Sequence, residues 1–129
     1  MDEFDLDHFV SLEELMGRGR EFIWTTLPYA REVVRKLEAE YMEDGLYVST
    51  FEYLLEIMVE VFDPAVENAE EEILDAFFEM CEGLLALHSG LIEEHVEGFV
   101  AKGLVVRHPD LIARNGPRLM RLISENYII

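Results

Sequence analysis

Apolar side chains recur at three- and four-residue intervals along most of this chain, a spacing that predicts helices rather than strands. The first helix is expected to open at Ser11. That residue fits a capping box with Glu14, while Val10 and Leu15 are placed to close a hydrophobic staple. Gly17 and Gly19 are expected to loosen or end that turn, and Phe22, Ile23 and Trp24 then supply core bulk. Pro28 suits a first helical turn, where its missing N–H is not needed. A helix over residues 29–44 follows, with Ala30, Val33, Val34, Leu37 and Tyr41 as its apolar stripe and Gly45 as its stop.

Residues 47–50 fit a brief extended stretch, yet Ser49 with Glu52 forms another capping box. Beyond it Phe51, Leu54, Leu55, Met58, Val59 and Phe62 have helical spacing. Asp63 and Pro64 predict a break and a restart, with Asp63 as N-cap of a long helix reaching about residue 88. The expected core face of that helix is Ala69, Ile73, Ala76, Phe77, Met80, Leu84 and Leu87. Ser89 and Gly90 separate it from a helix over residues 91–102, which Gly103 ends and where Leu91, Ile92, His95, Val96, Phe99 and Val100 face inward. Short pieces starting near Pro109 and Pro117, with Asn115 and Gly116 turning between them, finish the chain. The expected fold is all-α, a compact bundle or small array of about six helices joined by short loops.

Composition narrows this picture. The chain has 129 residues and 50% are hydrophobic, enough for one domain over residues 1–129 and too few for two. A single cysteine, Cys81, excludes an intramolecular disulfide and a thiolate zinc cluster. The opening MDEFDLDH is acidic where a secretory signal requires positive charge, and no apolar run approaches the roughly 18 residues of a membrane span. A cytoplasmic setting without membrane association is therefore expected.

Charge changes the picture most. The formal net charge is −18, and it is unevenly placed. Residues 37–101 hold eighteen acidic side chains and no Lys or Arg, whereas residues 102–129 hold two acidic and five basic ones. Such a segment repels nucleic acid and anionic membrane and attracts a basic partner at long range. A merely soluble or salt-adapted acidic protein is the bland alternative. Within the segment Glu52, Glu56, Glu60 and Asp63 stand at spacings of four, four and three, and Glu67, Glu71, Asp75, Glu79 and Glu82 repeat the pattern on what is expected to be the next helix. Like charges four apart cost a helix about 0.2–0.5 kcal/mol per pair, and interleaved lysines would serve solubility equally well. These nine carboxylates are the candidate footprint for a cationic protein partner, weighed against a plain solvated face.

Enzyme and metal chemistry find little support. No Glu lies three residues before His8, His88, His95 or His108, and no His-Glu-x-x-His occurs, so neither a carboxylate-bridged di-metal unit nor a zinc-peptidase helix is encoded. Glu93, Glu94, His95 and Glu97 fit a solvated acidic face with one half-buried histidine better than a cation site. Cys81 has no basic neighbour in sequence to activate it and reads as a core thiol. The stretch from Gly17 to Arg20 lacks the strand and lysine of a phosphate loop and reads as a helix end with two exposed arginines. Lys102, Arg107, Arg114, Arg118 and Arg121 are expected to close on the protein's own acidic helices, being too sparse for nucleic-acid binding. No catalysis, no cofactor and no direct contact with nucleic acid are expected.

From Glu72 onward the run EILDAFFEMCEGLLALHSGLIEEHV, with the later NGPRLMRLI, resembles small acidic helical proteins of bacterial toxin–immunity loci. The resemblance covers roughly the last half of the chain. It implies a one-to-one inhibitor that masks a basic, often nucleic-acid-degrading, toxin. Two other classes stay open. One is a nucleic-acid mimic whose carboxylates stand in for phosphates. The other is an adaptor or oligomerising domain, a homodimer included, using apolar surface for which Phe51, Phe62, Phe78 and Tyr47 are candidates.

Overall fold

The computed structural model describes residues 12–46 and 48–127, and among them every regular element is helical. Helix α1 is Leu12–Thr26, and α2 is Arg31–Glu43, entered through a 3-10 turn at Pro28–Ala30. Helix α3 covers residues 50–67 without interruption, as Thr50–Ile57, a π-helical stretch Met58–Phe62 and a last turn Asp63–Glu67. Helix α4 is Glu71–Leu85. Helix α5 covers residues 90–107, as Gly90–His95, a second π-helical stretch Val96–Ala101 and Lys102–Arg107. A 3-10 turn at Pro109–Arg114 leads into α6, Pro117–Asn126.

Helix ends follow local chemistry. The Ser49–Glu52 capping box forms and starts α3. The Ser89 hydroxyl accepts the Ile92 N–H at 3.3 Å and starts α5. Gly45 stops α2 at φ 72°, with the Leu46 N–H on the Tyr41 carbonyl at 3.0 Å, which is the Schellman arrangement. Ser11 and Val10, on which the first capping box and staple depend, lie outside the described residues, as does Tyr47.

Three expected boundaries are corrected. Helix α1 runs through Gly17 and Gly19. Gly19 is buried, and a Cβ there would stand 3.1 Å from the Thr50 hydroxyl, so the glycine serves close approach of α1 to α3. Asp63 and Pro64 do not restart a helix. Pro64 has no N–H to donate and its ring crowds the carbonyl of the turn before it, and the wider π-helical turn at Met58–Phe62 absorbs both defects while the axis continues. The break falls instead after Glu67. Ala69 takes φ 53°, the Glu70 N–H reaches the Ala65 carbonyl at 2.9 Å, and a second Schellman turn ends α3. Likewise α5 passes through Gly103, where a Cβ would stand 3.0 Å from Met58 Cε, so this glycine also serves packing.

The core forms where α3, α4 and α5 meet. Phe62 and Phe77 are fully buried with ring centroids 4.4 Å apart, and Phe78, 4% exposed, closes edge-on to both. Burial of each such ring is worth about 1.5–3 kcal/mol. This corrects the expectation that Phe62 and Phe78 offer apolar surface. Ala69, expected in the core, is exposed, Leu74 is buried in its place, and Cys81 is buried as expected. Helix α1 closes over α4 with the Phe22 ring in the space a side chain at Gly83 would occupy. Helices α3 and α5 lie side by side and run in the same direction. Phe51 meets His95 and Phe99 near their starts, Met58 meets Gly103 midway, and Asp63 meets Arg107 and His108 near their ends.

Candidate partner-binding surface

The nine candidate carboxylates do not share one face. Glu67 belongs to the last turn of α3 and the Schellman turn separates it from Glu71, so the expected second ladder is divided between two helices. Their surroundings differ still more.

On α4 the carboxylates are mostly spent on the protein itself. Arg114 places one guanidinium nitrogen on Glu71 and another 2.6 Å from Asp75, and its charge lies 5.9 Å from the Phe78 ring centre. Glu82 accepts the backbone N–H of Arg118 at 3.0 Å and of Leu119 at 2.8 Å. The α6 N-cap is Gly116, which has no side chain to offer, so a carboxylate from another helix satisfies the first α6 donors and places negative charge at the positive end of the helix. Of this group Glu79 stays exposed with no cationic partner among the described residues. The expected closure of C-terminal arginines on acidic helices is present for Arg107 and Arg114, whereas Arg121 pairs with Glu125 of its own helix.

On α3 the two ends are engaged and the middle is open. Glu52 accepts the Ser49 N–H at 3.2 Å within the capping box. Asp63 receives Arg107 at 2.7 Å and lies 3.2 Å from His108 Nε2. Glu56 and Glu60 have no cationic partner among the described residues. Glu60 borders an open depression of about 500 Å³ toward α2, lined also by Glu32, Val33, Arg35 and Lys36.

Beside these carboxylates runs a feature that sequence reasoning found only in part. Phe51, Leu55 and Val59 share the helical spacing of the buried residues yet are 41%, 39% and 56% exposed; of the three, only Phe51 is among the apolar-surface candidates read from the sequence. They stand on successive turns of α3, each one residue before Glu52, Glu56 or Glu60. The signal is in the sequence. Tyr53, Ile57 and Val61 form one apolar row on this helix, Leu54, Met58 and Phe62 a second, and Phe51, Leu55 and Val59 a third, which is wider than one core-facing stripe. The first two rows are buried and the third is left outside. At its head the Phe51 ring stands edge-on to Phe99 at 4.4 Å and to His95 at 5.7 Å.

His95 carries a buried Nδ1 with no hydrogen-bond partner among the described residues. Desolvation of the ring lowers its pKa, against the opposing pull of Glu52 and Glu94. His88 lies in the turn after α4, in a left-handed conformation at φ 54°, and is exposed, outside the helix that carries His95. Cys81 is fully buried, and burial with Glu82 beside it pushes the thiol pKa up. Among the described residues no three His, Cys, Asp or Glu side chains converge as metal ligands would.

Three arginines of α1 and α2 gather around one indole. Arg20, Arg31 and Arg35 stand 4.5, 5.1 and 5.1 Å from the Trp24 ring centre. Arg20 also forks onto Glu38 at 2.9 and 3.1 Å, and the Tyr53 hydroxyl donates to the same carboxylate at 2.7 Å. Arg20, then the Tyr53 hydrogen bond, hold the Glu38 carboxyl below its usual range despite partial burial. The network ties α1, α2 and α3 together. Arg20 is therefore a structural residue rather than the exposed end expected.

The chain is thus an all-helical protein whose open acidic side chains flank an exposed apolar row. No helix among the described residues is long and apolar enough to cross a membrane. No family model, curated protein or solved structure matches the chain.

Proposed function

We propose that this chain is a protein-binding module for a basic partner, acting in the cytoplasm as a stoichiometric inhibitor of a basic toxin or nuclease and carrying no catalytic chemistry. The observation that carries this reading is the charge that remains after internal pairing. Arg107 and Arg114 reach only Asp63, Glu71 and Asp75, and Glu56, Glu60, Glu67 and Glu79 stand without a cation among the described residues. Unpaired carboxylates of this density speed encounter with a basic surface and exclude anionic ones. The apolar row on α3 favours a second reading, an adaptor that docks through Phe51, Leu55 and Val59.

Salt separates the two. A tagged chain is incubated with extract of its own cell at low ionic strength and eluted by a salt gradient. One stoichiometric basic protein, released by salt and lost when Glu56, Glu60, Glu67 and Glu79 are all changed to Lys, is the expected result. A partner retained by that variant, or insensitive to salt, overturns the charge reading.

A further inference from the structure

We infer that the outer face of α3 is a docking site for an amphipathic basic helix of another protein, with Phe51, Leu55 and Val59 taking its apolar row and Glu56 and Glu60 its cations. This deepens the proposed function and rests on it. Single exposed apolar side chains are ordinary, but three in register on one helix, each beside a carboxylate, are not scatter.

The geometry selects the occupant. From residue 51 to residue 59 the row extends about 12 Å at 1.5 Å per residue, with side chains about 6 Å apart. A partner helix with apolar residues at i, i+4 and i+8 and basic ones next to them matches that spacing on both rows. A partner strand would need an open strand edge, and no strand occurs among the described residues. Charge then separates a foreign helix from a second copy. Two such faces in contact would bring Glu56 and Glu60 of both chains together. The chain's own first ten residues hold four acidic side chains and no Lys or Arg, so they are repelled by the same row. Phe51, packed against Phe99 and His95, holds one end of the row in place before a partner arrives.

The test uses two synthetic helical peptides of identical composition, titrated calorimetrically into the full chain. One places Leu at i, i+4 and i+8 with Lys beside each Leu, and the other scrambles the order. The ordered peptide is expected to bind about tenfold tighter or more. Leu55→Ser with Val59→Ser should erase that advantage, and both side chains are exposed, so circular dichroism should show the fold intact. Glu56→Lys with Glu60→Lys should weaken binding and flatten its salt dependence, whereas Glu67→Lys with Glu79→Lys should leave the preference unchanged.

Equal affinity for the two peptides, or an advantage that survives Leu55→Ser with Val59→Ser, overturns the docking site. If the salt-released partner is still captured in that case, the charge reading stands without this surface. Failure of both peptides to bind overturns the docking site as well. A dimer of the chain alone that dissociates on Leu55→Ser with Val59→Ser assigns the row to a second copy and likewise overturns the proposal.

Discussion

Helices α3 and α4 carry carboxylates at the same spacing and use them for opposite ends. On α4, Glu71 and Asp75 hold Arg114 and Glu82 caps α6, so the acidic row is a clasp for the C-terminal part of the chain. On α3, Glu56 and Glu60 have no cationic partner among the described residues and border an exposed apolar row. Spacing along a helix therefore establishes that carboxylates share a face, and only the neighbour opposite that face decides whether they are structural or open. The clasp should govern stability and the open row binding. That division can be broken by experiment.

The largest effect is expected at the clasp. Glu82→Ala removes the carboxylate that caps the α6 amides and should cost about 1–2 kcal/mol, the usual loss for a helix cap, read as a lower urea midpoint. Gly116→Ala should act in the same direction, because a Cβ there would overlap the Glu82 carboxylate and dislodge it. Arg114→Ala, which breaks exposed ion pairs, should cost no more than about 1 kcal/mol. An Arg114 loss exceeding that of Glu82 would reverse the assignment of cap over ion pair.

A smaller effect is expected with pH on the α3–α5 side. The folded pKa of His95 is lowered, so the unfolded chain takes up its proton first as pH falls through about 6.5. The stabilisation from the neutral ring is present above that value and is lost as pH falls toward the folded pKa. Stability measured between about pH 7 and pH 5 should decline less steeply in His95→Leu, which also removes the unsatisfied buried Nδ1. An unchanged pH profile would show that another group carries the decline.

The smallest effect sharpens the contrast most. Glu56→Lys turns two repulsive four-residue pairs, with Glu52 and Glu60, into attractive ones and should raise stability by a few tenths of a kcal/mol. The same substitution should weaken binding of a basic partner. A stability gain coupled to a binding loss is the signature of a row kept for recognition, and a loss of both would place Glu56 among the structural carboxylates.

Much of the fold was legible from residue order because its determinants are local. The capping box at Ser49 and Glu52, the stop at Gly45, the turn at Asn115 and Gly116 and the start at Pro117 each depend on residues within one or two turns. The errors share a cause. Gly19 and Gly103 look like helix ends by propensity, yet each allows another helix to approach, to Thr50 and to Met58. The restart expected at Pro64 failed because a π-helical turn accommodates the proline, and the real break came at Ala69, a residue with no local signal for a left-handed conformation.

Sequence by itself determined that the chain is helical, that acidic side chains dominate residues 37–101, and that its carboxylates are spaced to share helical faces. These properties follow from periodicity and count, which need no knowledge of what lies opposite. Tertiary structure alone decided which carboxylates are clasped and which are open, that Phe62 and Phe78 are core, and that Leu55 and Val59 join Phe51 in facing outward. Those outcomes depend on which helices pack together, and three apolar rows on α3 could not all be buried by the neighbours available to it.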